Sequence, residues 1–520
     1  LDEVIVTARK RSENLQSVPE SVNVLTEKDI KNLGITGFDD YAEKVPSISF
    51  ISVGPGTQLF VMRGVSDGSN PNYANTSATG VFLDDVSLSF QGVQPDLHLY
   101  DMAQIEVLNG PQGTTFGAGS MAGAVRYITN KPDVHSFSAG LDFNGGKIQG
   151  GQGNYTYEAF LNAPLIDGVL GLRVSAFSDS HGGFVNNELT TRNWVNGAVS
   201  TNADWARNNY NREHMEGGRI ALKGVINEGW SATVTYTYQR QSTLGAWDED
   251  LANYGQDAVS RFGPESRRNE AKILDAHLDG DVGIGDLVFA STYWSLPTRQ
   301  TNEYSNYMEN YKGGAQEGFT CLNDPNYGTS ATFDNCNVPT QFFEYHTNPR
   351  RWSEEVRLVS KEGGRFHWLA GYYWERTQND SGSQYYMPGL QPDGAAFQSY
   401  LAYYGTSMSS LPPGEWYAYR THYDYLQTTE FANISFDVTK KLNVEAGIVH
   451  FSSTFNYSSP YGQFAYSPTA PSYTVAGSNK VNSKTGINYK ITDKVMVYAD
   501  FAQGFRDGGS NSGYPTSCYE

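Results

Sequence analysis

Hydrophobic and polar residues alternate along most of this chain once residue 132 is passed. The segment "WSATVTYTYQRQ" (230–241) shows the pattern most clearly, with Trp230, Ala232, Val234, Tyr236 and Tyr238 on one side and only Ser, Thr and Gln on the other. A period of two is that of a β-strand whose two faces meet different surroundings. Alternation of this kind predicts about thirteen strands, at 137–144, 155–163, 168–179, 216–226, 230–241, 270–279, 286–296, 353–360, 365–377, 425–437, 442–455, 480–490 and 495–504.

The predicted strands come in pairs that are joined by connections of two kinds. Short connections, such as "NEG", "KEGG" and "ITDK", alternate with long ones at about 180–213, 241–269, 297–352 and 378–424. Outer-membrane barrels have short periplasmic turns and long extracellular loops, whereas compact soluble domains seldom carry structureless loops of this length. The spacing therefore predicts an all-β, antiparallel membrane barrel.

Residues 1–133 follow a different pattern. "TEKDIKNLG" begins with Thr26 as a candidate N-cap, carries an acid three residues later and ends at Gly34, which predicts a short helix. "FDDYAEKVP" predicts a second helix that ends at Pro46, and short strands are predicted in "QLFVMRGV", "GVFLDDVSL", "IEVLNG" and "AVRYITN". Together they predict a small mixed α/β unit.

The composition agrees with a barrel. Aromatic residues make up 13% of the chain, Tyr alone counts 35 and Gly counts 54, and aromatic girdles are typical of outer-membrane barrels. No run of about eighteen apolar residues occurs, so no transmembrane helix is expected. The net charge of −19 argues against a nucleic-acid partner, which needs a basic surface.

The number of predicted strands raises a problem. Thirteen is odd, and a barrel in lipid cannot leave an open edge, because unpaired backbone groups there are too costly. The sequence ends in "PTSCYE", which has the composition of a polar loop. We expect the native chain to continue beyond these residues, and the alternatives are missed strands or completion by a second chain.

Motifs that resemble catalytic sites lie in the wrong surroundings. "GVSDG" (64–68) precedes loop residues instead of the helix of a nucleophile elbow, and "GAGSMA" (117–122) precedes a predicted strand instead of the helix of a dinucleotide site. The nine His residues never fall within five positions of one another, so no metal site is predicted. Asp84 and Asp85, as neighbours on a predicted strand, would point to opposite faces. We predict no enzyme, no catalytic residue and no cofactor.

The cysteines are few. Cys321 and Cys336 bracket a stretch of loop composition, which favours a disulfide that closes a loop in an oxidising compartment. Two free thiols are the alternative. Cys518 has no obvious partner.

Several segments resemble those of TonB-dependent outer-membrane receptors, in the same order. "DEVIVTA" resembles the TonB box, and "SVPESVNVLTEKDIKNLGITGFDDYAEKVPSISF" resembles the opening of the plug. "FVMRGVSDG", "GVFLDDV" and "DLHLYDMAQIEVLNGPQGTTFGAGSMAGAVRYITNKP" resemble later plug blocks, and "SEEVRLVS" and "MVYADFAQGFRDGGSN" resemble barrel strands. Two departures occur: Asn109 stands where the family usually has Arg, and Ser120-Met121 replaces the usual Asn-Ala pair. The first departure puts one ion pair between plug and barrel in doubt.

The resemblance implies a complete architecture. The family fold is a barrel of about 22 strands whose lumen holds a small mixed α/β plug domain, and the barrel would be incomplete in this sequence. Residues 1–10 would hold the TonB box, 11–133 the plug and 134–520 the barrel.

The N-terminal strand segment is predicted to pair with another protein. An extended segment can add to an exposed sheet edge through main-chain hydrogen bonds. The resemblance implies that TonB, which supplies the energy that the outer membrane lacks, binds Asp2, Glu3, Val4, Ile5, Val6, Thr7 and Ala8. The alternative is that residues 2–8 belong to the plug sheet.

The ligand site is predicted where plug loops and barrel loops meet. Amide groups supply donors and acceptors, and aromatic rings supply stacking faces. The candidates are Asn70, Asn72, Tyr73, Asn75, Phe90, Gln91 and Gln94 in the plug and Tyr385, Tyr386, Tyr403, Tyr404 and Trp416 in the barrel. Few Lys or Arg lie among them, which favours a neutral or polyhydroxylated ligand, whereas the family favours a ferric siderophore.

Charged residues in "SEEVRLVS" predict contacts inside the lumen. Glu355 and Arg357 share one face of this strand, and Val356 lies on the other. Because lipid disfavours Arg at its midplane by about 2–4 kcal/mol, Glu355 and Arg357 should point inward. Arg63 and Glu106 are their predicted partners on the plug.

The predicted function is energy-coupled uptake of a scarce nutrient across the bacterial outer membrane, driven by TonB. The ligand would be a ferric siderophore or another small organic molecule, such as a glycan or a vitamin. The barrel would contact outer-membrane lipid and lipopolysaccharide, and further outer-membrane partners stay open. The alternative is a structural or docking protein that keeps the receptor fold without transport, and such a scaffold would have no use for a TonB box.

Overall fold

A computed structural model of the chain describes residues 4–7, 9–66, 77–89, 95–117, 119–193, 199–305, 340–361, 363–388, 390, 414–458, 472–475, 478–492 and 495–505. The N-terminal part contains short elements: β1 (Ile5–Val6), β2 (Glu13–Asn14), a 3-10 turn (Leu15–Ser17), β3 (Val22–Thr26), α1 (Glu27–Leu33), α2 (Phe38–Ala42), β4 (Ile48–Ile51), β5 (Leu59–Met62), β6 (Thr79–Leu83), β7 (Val86–Ser87), β8 (Met102–Asn109), α3 (Gly113–Phe116) and β9 (Gly123–Thr129).

A five-stranded sheet is the centre of this N-terminal part. Its strands run in the order β3-β8-β9-β6-β7, with β6 and β9 parallel and the other neighbours antiparallel. The pairs β1–β2 and β4–β5 form two small sheets of their own. The predicted mixed α/β unit is thus confirmed.

Helix α1 begins and ends where the sequence predicts. The Thr26 side chain accepts a hydrogen bond from the Asp29 N–H, and the Asp29 carboxylate accepts one from the Thr26 N–H, which completes a capping box. Gly34 ends the helix at φ +64°, a conformation that glycine adopts without strain. Helix α2 ends at Ala42, earlier than Pro46, and the short α3 was not predicted.

The described part of the remaining chain forms long strands and several short ones. They are β10 (Ser138–Lys147), β11 (Gly153–Ile166), β12 (Leu170–His181), β13 (Asn186–Asn187), β14 (Thr191–Asn193), β15 (Val199–Thr201), β16 (Arg212–Asn227), β17 (Trp230–Leu244), β18 (Ala258–Val259), β19 (Ser266–Asp281), β20 (Gly285–Ser295), β21 (Thr298–Glu303), β22 (Phe342–Ser360), β23 (Phe366–Tyr386), β24 (Glu415–Asp437), β25 (Leu442–Ser458), β26 (Ser472–Val475), β27 (Asn479–Thr492) and β28 (Val495–Ala502).

Within the described residues, fifteen of these strands belong to one sheet. Thirteen follow each other in the order β10-β11-β12-β16-β17-β19-β20-β22-β23-β24-β25-β27-β28, and the long pairs of this path are antiparallel. Strand β21 pairs with β19 and β22, and β26 pairs with β25. Strands β10 and β28 are the two ends of the described path, and the expectation that further strands complete the barrel stays a prediction.

The connections of this sheet are short at one end and long at the other. Residues 228–229, 282–284 and 438–441 make short turns at one end, which we call the short-turn end. Residues 245–265 connect β17 to β19 at the opposite end, where β12 and β23 also end before long connections, and we call this the long-loop end. Each of the thirteen predicted strands corresponds to one strand of the path. The predicted loops 297–352 and 378–424 were too long, because β22, β23 and β24 extend well into them.

The large sheet is apolar on its exposed face and polar on its buried face. On β17, Val234 and Tyr236 are 48% and 42% exposed, whereas Thr233 and Thr235 are buried. This arrangement is the reverse of that in a water-soluble sheet and is expected where lipid covers the outside. The buried face meets the N-terminal domain, whose core residues Tyr41 and Ile105 belong to the same apolar cluster as Trp294 and Tyr425 of the large sheet. In the described part of the chain, no helix has the length and hydrophobicity needed to cross a membrane.

Candidate functional site

Ion pairs connect the N-terminal domain to the inner face of the large sheet. Glu355 and Arg357 of β22 are both buried and bonded to each other at 2.7 Å, while Val356 is 40% exposed. Arg357 also donates to Asp85 at 2.9 Å, and Lys10 lies 2.5 Å from Glu355. The Glu–Arg pair thus lies on the inner face of the sheet, where its partners are Asp85 of the plug and Lys10 of the N-terminal segment.

The predicted partners Arg63 and Glu106 lie elsewhere. Arg63 occupies a tight turn after β5 at φ +48°, so its exposed side chain leaves the strand pattern and donates to Ser21 Oγ at 2.8 Å. Glu106 is completely buried inside the plug, where it accepts a 2.8 Å hydrogen bond from Arg126. The placement of both residues opposite Glu355 and Arg357 was therefore wrong.

Asp85 is the charged centre of this contact. Arg357 lies 2.9 Å away, Arg126 3.7 Å away and His277 3.8 Å away. Burial alone would raise the pKa of Asp85, but the positive charges around it hold that pKa well below its usual range. Asp84 points the other way and bonds to Thr129 and Lys131. The two carboxylates therefore bind different partners among the described residues. Both stand in the β6–β7 turn and not on a strand, where the sequence placed them.

Two further plug carboxylates bind basic residues of the sheet. Asp101 accepts hydrogen bonds from Arg173 at 2.9 Å and from Arg219 at 3.0 Å, and Glu20 pairs with Lys484. Strands β12, β16, β22 and β27 supply these partners, so the plug is held from several sides of the large sheet.

The N-terminal segment is folded against the plug in this structure. Val6 is buried beside Phe82 and Leu108, and the Thr7 N–H donates to Glu106 at 2.6 Å. Strand β1 pairs with β2, whereas Ile5 is 48% exposed. Asp2, Glu3 and Ala8 lie outside the described residues. In this arrangement the segment packs on the plug but pairs with β2 and not with the five-stranded plug sheet. TonB binding by residues 2–8 stays a prediction.

A polar cavity of about 340 Å³ opens between the plug and the long-loop end of the sheet. Its plug wall is the β4–β5 loop, residues 52–57, and its other walls come from three separate segments of the sheet. The residues that line it are Ser52, Val53, Gly54, Pro55, Thr57, Thr243, Gly245, Ala246, Trp247, Asp248, Arg261, Glu265, Ser266, Arg267, Gln300 and Asn302.

Two glycines allow the plug loop to lie directly against the sheet. Gly56 has φ +72°, and a Cβ atom there would lie 2.5 Å from Asn269 Nδ2 and closer still to Gln241. A Cβ atom at Gly54 would lie 3.1 Å from that of Trp247. Only a residue without a side chain permits this approach.

The barrel loops beside the cavity are held by side-chain amides. Asn187 donates to the carbonyl groups of Trp205 and Arg261, and Asn202 donates to that of Glu188. Strands β13 and β18 pair in parallel across the two loops, above a small apolar cluster that includes Val185 and Val259. The cavity therefore has an ordered outer wall.

The charged groups of the cavity differ in their pairing. Arg261 contacts Asp248 at 2.5 Å and Glu265 at 3.1 Å. Burial raises the pKa of Glu265 to about 7 in spite of its arginine partner. Arg267 is buried, and within the described ranges its hydrogen bonds go to the neutral oxygens of Asn269 at 3.2 Å and Gln300 at 3.0 Å.

Below the cavity, Asp96 of the plug is enclosed by amide groups. Gln58 donates to its carboxylate at 3.0 Å, and Gln241 of β17 reaches it at 3.4 Å. Burial, together with the charge of Asp39, raises the pKa of Asp96 to about 6. An acid whose pKa is raised on folding stabilises the folded state below its unfolded pKa, and this contribution is lost as the pH rises through the folded value.

We therefore expect the native protein to lose stability between about pH 4 and pH 6 through Asp96. Asp96→Asn cannot ionise, so its melting temperature should change less across this range and should exceed that of the native protein at pH 7. Thermal unfolding in detergent measures both values. Asp204→Asn, at an exposed loop carboxylate, is the control, and an Asp96→Asn protein that kept the native pH dependence would contradict the assignment.

The predicted ligand residues fall into three groups. Tyr385 and Tyr386 are the last residues of β23, not loop residues far from strand ends, and their rings stack on Phe343 at 5.4 Å and on Phe342 at 5.3 Å. Trp416 lies on β24. Asn70, Asn72, Tyr73, Asn75, Phe90, Gln91, Gln94, Tyr403 and Tyr404 lie outside the described residues, as do Cys321, Cys336 and Cys518.

The residues of the cavity were not among the predicted ones. The stretch "SVGPGT" (52–57) has turn composition and could have been found as a plug loop. Arg267 and Gln300 gave no signal, because only strand pairing brings them together. In the part of the chain that the structure describes, no group of three or more His, Cys, Asp and Glu residues is placed to hold a metal ion.

The chain is similar to known outer-membrane receptors. The family model of the TonB-dependent receptor plug domain matches residues 14–124. The pesticin receptor of Yersinia pestis is 21% identical over 527 residues, which cover 98% of this chain and 64% of that receptor. The ferripyoverdine receptor of Pseudomonas aeruginosa is 27% identical over 179 residues, which cover 34% of this chain and 21% of that receptor.

Solved structures agree with the fold. The ferric yersiniabactin uptake receptor of Yersinia pestis superimposes with a TM-score of 0.69 at 15% identity, over 94% of this chain and 65% of that one. The ferripyoverdine receptor of Pseudomonas aeruginosa superimposes with a TM-score of 0.63 at 15% identity, over 99% of this chain and 61% of that one. The chain thus spans less than two thirds of the length of these relatives.

A plug domain seated against the polar face of a long-stranded antiparallel sheet defines a plugged outer-membrane barrel. Residues 14–124 match the plug domain of TonB-dependent receptors, and the chain as a whole has the fold of plugged outer-membrane receptors.

Proposed function

We propose that this protein takes up a ferric siderophore, or a comparable small organic ligand, across the bacterial outer membrane at the expense of energy supplied by TonB. The observation that carries the proposal is the plug itself. It is tied to the sheet by ion pairs at Asp85, Asp101 and Glu20 and contributes one wall of an open polar cavity at the long-loop end.

The ligand class is supported by the relatives. The proteins that this chain resembles include a ferripyoverdine receptor and a ferric yersiniabactin uptake receptor. The cavity combines an aromatic ring, that of Trp247, with amide and guanidinium groups, and such a mixture suits a polar chelate with flat aromatic or amide parts. A glycan or a vitamin is the second candidate, since the same groups bind hydroxyls.

The coupling partner is supported by the backbone register of β1 and by the exposure of Ile5. Leu15 N–H donates to the Val4 carbonyl at 2.9 Å, and Val6 is the next residue to pair with β2. In an antiparallel pair this register directs the N–H of Ile5 away from β2. An exposed strand edge is what a partner strand needs for β-addition, and we assign this role to TonB.

Uptake assays test the proposal against a scaffold without transport. The protein would be produced in a Gram-negative host that lacks its own siderophore receptors, and radiolabelled iron would be offered as a ferric catecholate, a ferric hydroxycarboxylate and a ferric hydroxamate. We expect uptake of at least one chelate, lost in a host without TonB. Equal iron accumulation with and without the protein for every chelate would favour the scaffold.

A further inference from the structure

Arg267 differs from the other buried arginines of the described residues. Arg126, Arg219, Arg351 and Arg357 each have a carboxylate within 4 Å. Arg267 is only 7% exposed and has no carboxylate within that distance in the described part of the chain. The next residue in the chain, Arg268, is exposed and paired with Glu270, so the lack of a carboxylate partner is particular to Arg267.

A buried cation without an anion is costly, because the protein interior replaces water poorly around a charge. Neutral amides satisfy part of the guanidinium, through Asn269 and Gln300, but they do not neutralise its charge. Arg261, the other arginine in the cavity, is already occupied by Asp248 and Glu265. Among the described residues, Arg267 is therefore the cavity arginine whose charge no carboxylate compensates.

Two more groups at the same cavity lack a hydrogen-bond partner among the described residues. The indole Nε1 of Trp247 is a donor with no acceptor, and Glu265 Oε2 is an acceptor with no donor. Buried polar groups are usually paired, and exceptions at a cavity mark places where a ligand or water completes them. A buried cation, an unpaired donor and an unpaired acceptor thus belong to residues that line the same cavity.

We propose that this cavity takes a ligand bearing a carboxylate or a comparable oxyanion, and that Arg267 binds this group. The planar guanidinium suits two parallel hydrogen bonds to such an anion. The inference rests on the proposed function, because it names the charge class of the same ligand. The loop composition favours a neutral ligand, whereas this inference favours an anionic one. The two differ because Arg267 stands at a strand end and not in a loop.

The central test compares Arg267→Gln with Arg267→Lys. The probes are citrate alone, ferric citrate as an anionic chelate, and a neutral ferric tris-hydroxamate without carboxylates. Binding to the purified full chain is followed by tryptophan fluorescence and by the shift in melting temperature. We expect Arg267→Gln to weaken binding of both citrate probes about 10- to 100-fold, Arg267→Lys to recover part of it, and the hydroxamate to be unaffected by either change.

Matched controls separate binding from folding. Arg268→Gln removes an exposed charge next in the chain and should bind citrate like the native protein. Because Arg267→Gln removes an uncompensated buried charge, its melting temperature without any probe should equal or exceed the native value. A purely structural role for Arg267 would instead lower it.

The outcomes separate this inference from the proposed function. The anion site is refuted if citrate and ferric citrate bind Arg267→Gln as tightly as they bind the native protein. It is also refuted if the native protein binds neither of them. TonB-dependent uptake of the neutral hydroxamate would then leave the proposed function standing. If citrate requires Arg267 but no chelate is taken up by cells, the anion site holds and the uptake function fails.

Discussion

The Ile5→Pro protein is expected to bind a ferric chelate as tightly as the native protein and to transport none of it. Proline has no N–H, and the register of β1 directs the N–H of Ile5 away from its intramolecular partner. The substitution therefore spares the β1–β2 pair and removes a donor that a partner strand would use. One missing ladder hydrogen bond costs about 1 kcal/mol, and the fixed backbone angle adds to this loss in a short pairing segment.

Radiolabelled iron uptake and chelate binding to purified outer membranes give the two readouts. Ile5→Thr keeps the N–H and the β propensity of the position, so it should transport nearly as well as the native protein. The cavity lies at the opposite end of the plug, which is why binding should not change. Normal transport by the proline variant would show that residues 2–8 are not the coupling segment.

The strands could be predicted from the sequence because lipid and lumen impose a strict alternation. On β17, every second side chain from Ala232 to Tyr238 meets the outside, and this requirement is visible without any knowledge of pairing. The alternation fades where a strand rises above the lipid. The last part of β23, "TQNDSGSQ" (377–384), is polar on both faces, so it reads as loop although it is strand.

For the contacts between plug and sheet, the sequence predicts the residues on the sheet but not their partners on the plug. That Glu355 and Arg357 point inward follows from the cost of charge in lipid, which is a property of one strand. Their partners depend on how the plug turns. Asp85 reaches Arg357 from the β6–β7 turn, and Lys10 reaches Glu355 from the N-terminal segment; neither position is encoded in a local pattern.

The cavity could not be predicted for a similar reason. Its walls join the β4–β5 loop to residues of β17, β19 and β21, and the register of β19 against β21 places Arg267 opposite Gln300. Loop composition favours aromatic and amide-rich stretches as ligand sites. Arg267, which has no carboxylate partner among the described residues, instead stands at the end of a strand. Whether a buried arginine has a carboxylate partner depends on the folded structure and leaves no local pattern in the sequence.

The charged nature of the plug contacts bears on how the lumen could open. Asp85, Asp101 and Glu20 bind basic residues of four strands, and polar contacts of this kind can be exchanged for water more readily than apolar packing. Apolar packing holds the plug by burial of area, and here it is confined to one part of the contact, where Tyr41 and Ile105 share a cluster with Trp294 and Tyr425. The contacts therefore suit a plug that holds firmly at rest and shifts under load.

Removal of residues 1–133 is expected to turn a closed protein into an open pore. The plug fills the space beside the polar face of the sheet, where buried Thr233, Thr235 and Gln239 would otherwise face water. In planar bilayers the intact protein should conduct poorly, and the protein without residues 1–133 should show a large and steady conductance, as wide barrels with an empty lumen do. A deletion of residues 1–8 removes the proposed coupling segment but keeps Arg9 and Lys10 with their partners Glu445 and Glu355, so this variant should remain closed. An intact protein that already conducts like an open porin would contradict the role of this domain as a plug, and gated uptake with it.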